Sequence, residues 1–475
     1  MNSEQLSAYY QAHPFARWAA LIAVCIANFM GSLTLSATNV AIPAIALHFG
    51  ATAVQVSWIP AIYLMTSVVL LLPAGRFADA VGRKRVLTTG VALFCLASVA
   101  CSLAPDIYML LGFRLVQAVG SSLTAACGLA LVIAVFPAAI RGSVMGIAAS
   151  FIYLGMTAGP YIGGYFTELY GWRSVFVMQV PLALLVIALL LTTVRGDWRM
   201  QTREPFDYFS VAVLAVTVSS LGVGLSHFHT TYGLPLLVLA AAALFTFIRR
   251  QLTHAYPLVR LKLVWENREL SRSFATSVML YIGNYQVVFL LSLYLQYILG
   301  LSPSQAGAIM IVQALMMTLM PPFAGRLSDR LPANRIAALG CALASCGFAV
   351  LVSLDFDSSK VHVIAGLLLV GTGHGMFSTP NNHAGLSAVP HERLGIATAI
   401  MALGRNLGNV TGTGIILLLV SVFLGGERIQ PAAYPALMTV IKIAFGTALL
   451  ATLTASWISS RSFPLRTIDS ARAAD

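Results

Sequence analysis

Charge is what this sequence has least of. Asp, Glu, Lys and Arg make up 9% of its 475 residues, against 58% hydrophobic residues and a mean hydropathy of +0.85. A soluble protein of this length has no interior large enough for so much apolar surface. Cysteine is scarce too. The six, at positions 25, 95, 101, 127, 341 and 346, all fall in apolar runs, so they read as small buried hydrophobes and not as a disulfide framework. The metalloprotease pattern H-E-x-x-H is absent, as is any close Cys/His grouping within a run, so neither a metal site nor a membrane-embedded enzyme has support. A P-loop and a large polar domain are also absent, which argues against ATP-driven transport. Short alternating segments of the kind that build membrane barrels do not recur.

Long apolar runs are what the chain has in quantity. Many windows of about 20 residues lack charge, enough to cross roughly 30 Å of hydrocarbon as helices. Fourteen spans follow, at 17–46, 53–74, 86–104, 107–136, 143–168, 174–194, 207–227, 232–249, 272–299, 303–324, 335–354, 361–386, 393–423 and 436–459. The first run is too long for a secretory signal and reads as an uncleaved span. The expected fold is therefore an all-α integral membrane protein.

The basic residues orient it. With the N-terminus inside, 22 of the 28 Lys and Arg fall in cytoplasmic segments and three in outer loops. The net charge of +12 is thus topological, and no nucleic-acid partner is needed to explain it. An even count of spans puts both termini in the cytoplasm. Two long cytoplasmic connections, 195–206 and 250–271, flank a two-span hairpin at 207–249. The chain divides into a six-helix half over 1–194, the linkers and hairpin over 195–271, and a second six-helix half over 272–475.

A loop repeats. "GRFADAVGRKR" (75–85) follows the second span and "GRLSDRLPANR" (325–335) follows the tenth. Both read G-R-x-x-D and end in Arg, at corresponding places in the two halves. That points to internal duplication, a common plan in secondary transporters. Gly75 would let the chain turn and a helix end approach its neighbour. Asp79 would accept backbone or Arg hydrogen bonds near a helix N-terminus. Topology alone accounts for the basic residues, but it does not ask for an Asp, so the Gly-Asp core reads as a conformational latch.

On these residues the sequence resembles the major facilitator superfamily. The first loop is similar to the family signature G-x-x-x-D-x-x-G-R-(R/K), with Gly75, Asp79, Gly82, Arg83 and Lys84 in place. The second copy keeps Gly325, Asp329 and Arg330, with Pro332 where a Gly would stand. "RLVQAVGSSL" (114–123) resembles the helix-4 motif, and "GMTAGPYIGGYF" (155–166) resembles the helix-5 antiporter motif. Fourteen spans, "NVAIP" in helix 1, "PFDYFS" (205–210) and "ALGRNLGNVTGTGI" (402–415) narrow the likeness to the fourteen-helix drug:proton antiporter branch. The resemblance implies the major facilitator fold, alternating-access efflux of small amphipathic compounds across a bacterial inner membrane, no cofactor, and a proton gradient as energy source. In some two-membrane relatives a periplasmic adaptor and an outer-membrane channel are partners.

Several residues stand out for function. Gly155, Gly159, Pro160, Gly163 and Gly164 put small residues on one helix face and allow bending, as a seal between the halves requires. Arg114 lies roughly 10 Å into helix 4, where a charge is costly, and the resemblance gives it a part in proton coupling. Arg405 lies deeper in helix 13. Gln117, His374, Asn381, Asn382, His383, Asn284 and Gln286 interrupt apolar runs and are candidates to line an aqueous cavity or to bond between helices. Lys442 is expected to snorkel to the outer surface.

The stretch "GSLTLSATNVAIPA" (31–44) carries Thr34, Thr38 and Asn39 but no charge, and these three are expected to face the cavity as hydrogen-bonding lining. Aligned on Pro43, Thr34 stands where the family branch has an Asp associated with proton or cation recognition. Thr cannot titrate. All sixteen acids sit in loops or at span ends, Glu168 coming nearest a membrane position. Two expectations follow. A neutral or anionic substrate is favoured over a lipophilic cation, which would lack a counter-charge. Any proton must use His374, His383, Glu168, Asp79 or a site dependent on Arg114. An uncoupled facilitator is the alternative, and a non-transporting sensor with the same fold is a further one.

Overall fold

The structure is a computed structural model. It describes residues 9–10, 12–137, 140–198, 206–328, 330–390 and 394–461. Among the described residues, fourteen helices are long and apolar enough to cross a membrane. In chain order they are α1 (Pro14–Phe49), α2 (Ala53–Val81), α3 (Arg83–Ser102), α4 (Ile107–Val135), α5 (Arg141–Tyr170), α6 (Ser174–Thr192), α7 (Tyr208–Ser226), α8 (Gly233–Thr253), α9 (Arg268–Ile298), α10 (Pro303–Ser328), α11 (Ala333–Val352), α12 (Lys360–Ser387), α13 (Leu394–Phe423) and α14 (Tyr434–Ser460). No strand occurs among the described residues.

Short polar residues start these helices, as orphan N–H groups at a helix end require. Thr52 and Gln55 form a reciprocal capping box at α2. Asp106, Asp207, Asn267 and Ser359 cap α4, α7, α9 and α12. The helix ends joined through Arg76, Arg83, Lys84, Arg85, Arg250 and Arg260 form a basic face. The opposite end of the bundle is called the far face below.

The repeat seen in the loops recurs in the packing. In the first six spans α1 packs on α5 and α6, α2 on α4, and α3 on α4 and α6. Eight spans later α9 packs on α13 and α14, α10 on α12, and α11 on α12 and α14. Two seams join the sets, α5 against α10 and α2 against α13. The hairpin breaks this symmetry, because α7 lies on α2 and α13 and leaves the other seam bare. There Gly222 admits Met65 and Trp58, and Gly414 meets Leu225.

The largest apolar core contains residues of both sets and gathers toward the far face, from Ala37–Ala46 and Trp172 to Tyr285–Leu295 and Ile416–Leu424. Toward the basic face the cores separate into one confined to the first set and two confined to the last. The bundle is therefore sealed at the far face.

Some expectations need correction. Gly75 lies inside α2, makes no turn, and would admit a Cβ freely, so neither reason given for a glycine applies there. Five cysteines are buried, but Cys346 is exposed on the surface of α11. Lys442 does reach the far-face end of α14, where its Nζ lies 3.8 Å from the exposed Asp355 carboxylate.

Candidate functional site

Four polar clusters stand out in the bundle. The first is a cavity of about 260 Å³ on the basic side of the seal. Its wall comes from α1 (Asn28, Gly31, Ser32), α2 (Tyr63, Ser67), α3 (Phe94), α4 (Ser121, Thr124) and Asn406 of α13. Tyr63 donates to Ser121 at 2.6 Å. The lining is hydroxyl-rich and apolar, and it contains no charged residue.

Arg114 stands behind this wall. Its guanidinium carbon is 4.7 Å from the centre of the Tyr63 ring and 5.8 Å from that of Phe176. The side chain is fully buried. Nη1 donates to Gln117 at 2.7 Å, and Gln117 in turn donates to Ser98. Nη2 has no partner, and no described carboxylate pairs with the group. A buried cation held only by dipoles and ring faces is costly, which makes Arg114 a candidate functional residue.

The helix-1 residues Thr34, Thr38 and Asn39 do not line the cavity. All three are fully buried. Thr34 Oγ1 has no partner, and Thr38 donates back to the Thr34 carbonyl. Asn39 serves the seal. Pro43 lies inside α1 and has no N–H, so the Asn39 carbonyl four residues earlier loses its helical donor. Ser292 of α9 fills that place, donating to Asn39 O at 2.9 Å. Tyr285 reaches Asn39 Oδ1 at 3.3 Å, and Gln296 donates to the Val40 carbonyl at 3.0 Å. Sequence reading missed Ser292 and Gln296. The signal that could have found them is a proline in a spanning helix, which predicts an orphan carbonyl four residues back.

The helix-5 glycines divide. Gly155, Gly159 and Gly163 face α1, where an added Cβ would meet Phe29 O, Ser36 and Ala37. Gly164 faces the other set, against the Pro303 carbonyl, and Gly307 of α10 abuts the Pro160 carbonyl. Thr157 donates to Ala314 O at 3.1 Å across the same seam. Glu168 ends it. Its carboxylate is exposed and accepts from the Ser304 N–H at 3.1 Å, capping the first turn of α10.

The second cluster surrounds Arg405, with Tyr153, Ser277, Tyr281, Phe377, Asn381 and Asn382. Asn381 is tied down by Thr276, Ser277 and the Ser273 carbonyl. His374 is buried beside Tyr281; its Nδ1 lies 3.0 Å from Val370 O and its Nε2 has no partner. His383 is exposed. The third cluster is a small methionine-rich void at the α5–α10 seam holding Asn284, Gln313, Met156, Met310 and Met317. Gln286 lies apart from all of these, reaching Thr447 at 3.4 Å.

The signature loop is the fourth. Gly82 has φ +126°, where a side chain would strain and would strike the Asp197 carboxylate. Asp79 accepts from Arg83 Nε at 2.9 Å, and Arg83 Nη1 reaches the Ala130 carbonyl. Asp197 accepts from the Lys84 N–H at 2.9 Å, and Lys84 Nζ donates to Val194 O. These contacts join the loop to the first six spans and to the start of the linker that follows them, not to the second set. Asp197 was not singled out in the sequence. In the second copy Gly325 lies in α10 near Thr379 and Arg330 is exposed, while Asp329 lies outside the described residues.

Two six-span sets related by repeat, a central polar cavity and a seal at one end define a secondary transporter, not an enzyme. The Major Facilitator Superfamily model matches residues 24–413, and the chain belongs to that family. It is 31% identical over 400 residues to the riboflavin transporter RibZ of Clostridioides difficile, covering 84% of this chain and 87% of that one. It is 30% identical over 404 residues to the multidrug resistance protein Stp of Mycobacterium tuberculosis, covering 83% and 74%. A second relative named for multidrug resistance, the protein B homolog of Mycobacterium tuberculosis, is 26% identical over 427 residues, covering 88% of this chain and 78% of that one. A solved bacterial homologue of the human lysosomal transporter Spinster shares the fold, with a TM-score of 0.67 at 16% identity, over 94% of this chain and 96% of that one.

Proposed function

We propose that this transporter exports small amphipathic compounds without net positive charge, in exchange for protons. The carrying observation is the cavity of about 260 Å³, which offers hydroxyls and ring faces but no carboxylate, with the Arg114 cation behind its wall. A desolvated cation entering there would meet no counter-charge and one like charge. A neutral ring compound with hydroxyls, or a weak acid, would find partners. Riboflavin, which the relative RibZ is named for, is of that class. The basic face is cytoplasmic, since 22 of 28 basic residues lie on that side of the expected topology, and the membrane is a bacterial inner membrane. In a two-membrane cell a periplasmic adaptor and an outer channel would complete the route, which co-purification from such a cell tests.

Protons need a titrating group, and His374 is the buried candidate, with Nε2 free to take one. The absence of any acid from the cavity lining favours a second reading, an uncoupled facilitator. Purified protein in liposomes decides between them. Uphill flux of neutral and anionic compounds that collapses with the pH gradient supports exchange. Flux that runs only downhill supports the facilitator. Preferential uphill transport of lipophilic cations, unimproved in Thr34→Asp, overturns the substrate class.

A further inference from the structure

On the basic face the segment between α8 and α9 folds back against the bundle. The Val259 N–H donates to Gln251 Oε1 at 3.0 Å, and Arg76 of α2 donates to the Pro257 carbonyl at 3.0 Å. Leu263, in the short helix Leu261–Glu266, is buried with Leu270 and Val389. This fold encloses a second cavity, of about 370 Å³, bounded by Gln251, His254, Arg260, Lys262, Glu266 and Ile396. The transport cycle proposed above does not use it.

Its chemistry is that of an anion site. Lys262 lies 3.7 Å from Glu266, but both side chains are exposed, so the pair is weak and leaves the ammonium able to meet a phosphate. Arg260 is exposed and makes no ion pair with any described residue. A guanidinium fork with a neighbouring ammonium suits a phosphate ester. The surroundings choose between soluble and membrane phosphates. The cavity opens at the end of α8, where Phe245, Ile248 and Leu252 are 68%, 37% and 42% exposed in an i, i+3, i+7 row. Trp265, 81% exposed, and Tyr256, 43% exposed, flank it, as aromatic residues do at a headgroup layer.

We propose that this cavity holds the phosphate headgroup of an anionic phospholipid from the basic-side leaflet, with its acyl chains along the Phe245–Leu252 row of α8. Arg260 and Lys262 hold the phosphate, and Trp265 marks the headgroup depth. Through Pro257 the occupied linker is clasped to Arg76, the second residue of the signature stretch 75–85, so the lipid steadies the point where hairpin and first helical set meet.

Native mass spectrometry of the full-length protein tests this, titrating phosphatidylglycerol, phosphatidylcholine and glycerol 3-phosphate separately. One phosphatidylglycerol should bind selectively. Each basic residue lost should weaken it about fivefold, so R260Q/K262Q should weaken it about 25-fold, while the far-face control Lys360→Gln and the charge-preserving R260K/K262R should not. Brominated phosphatidylglycerol should quench the Trp265 fluorescence, read as the difference from Trp265→Phe. Equal binding of phosphatidylcholine, or unchanged binding in R260Q/K262Q, overturns the proposal. Glycerol 3-phosphate binding as tightly as the lipid also overturns it and identifies a soluble phosphate ligand.

Discussion

Removing the Ser292 hydroxyl should loosen the far-face seal, and removing Pro43 should make that loss harmless. Ser292→Ala leaves the Asn39 carbonyl buried without a donor, because Pro43 has none to give. An unsatisfied buried carbonyl costs about 1–3 kcal/mol. The cost falls on the sealed conformation only, since water reaches the carbonyl once α1 and α9 separate. The ratio of sealed to open molecules should therefore fall by a factor of about 5 to 150. Pro43→Ala restores an N–H to the Asn39 carbonyl from within α1. In that background Ser292→Ala should cost no more than about 0.5 kcal/mol, giving a coupling of at least about 0.5 kcal/mol and up to about 2.5 kcal/mol. Nitroxide labels at Leu103 and Val361, which are 72% and 73% exposed on the far face, would report the two populations by pulsed electron resonance. Cys346→Ser supplies the background, as the other five cysteines are buried. If the single effects add within about 0.5 kcal/mol, the proline-made acceptor is not what joins the helices.

Gly164→Ala should also open the seal, because its new methyl meets the Pro303 carbonyl of the opposite set; overpacking of this kind costs about 1–3 kcal/mol and is relieved by opening. Gly163→Ala, which strikes Ala37 within the same set, should instead lower thermal stability without shifting the label distances. Thr34→Val removes a buried hydroxyl that has no partner, so stability should rise by about 1 kcal/mol; a fall in transport alongside that rise, measured on one preparation, would assign the hydroxyl to the cycle. His374→Gln should retain downhill flux and lose its dependence on an imposed pH gradient in liposomes, and unchanged coupling would remove His374 from the proton route. Burial opposes charge on Asp207, but hydrogen bonds from Arg250 and Ser210 outweigh it and hold its pKa down at about 2. Its contribution to the hairpin is present above about pH 4 and is lost as pH falls toward 2, so amide exchange in Tyr208–Ser226 should accelerate over that window and be fast at every pH in Asp207→Asn.

The spans were legible because hydrocarbon imposes one requirement on every helix that crosses it, and the apolar runs state it plainly. The duplication was legible because G-R-x-x-D recurs at equivalent places. What faces the cavity was not. Helix α1 is packed on several sides, with Ser32, Thr34, Ser36, Thr38 and Asn39 distributed around it, so no single polar stripe marks an inward face. Gly31 and Ser32 line the cavity, whereas Thr34 lies buried two residues later. Tyr63, Ser67 and Ser121 escaped notice because lone hydroxyls in spanning helices usually bond their own backbone, as Ser67 does to the Tyr63 carbonyl. The glycines of α5 declared close packing but not its partner, and only Gly164 and the Pro160 carbonyl turned out to face the opposite set.

The hairpin that sits on only one of the two equivalent seams gives the bundle a front and a back toward lipid. At the α2–α13 seam, α7 stands between the helical sets and the acyl chains. At the α5–α10 seam, the glycine and threonine contacts, the methionines between them and the Glu168–Ser304 bond meet the acyl chains with no third helix over them. Of the two equivalent seams, one is shielded from the acyl chains by a third helix and the other is closed by the direct fit of α5 against α10.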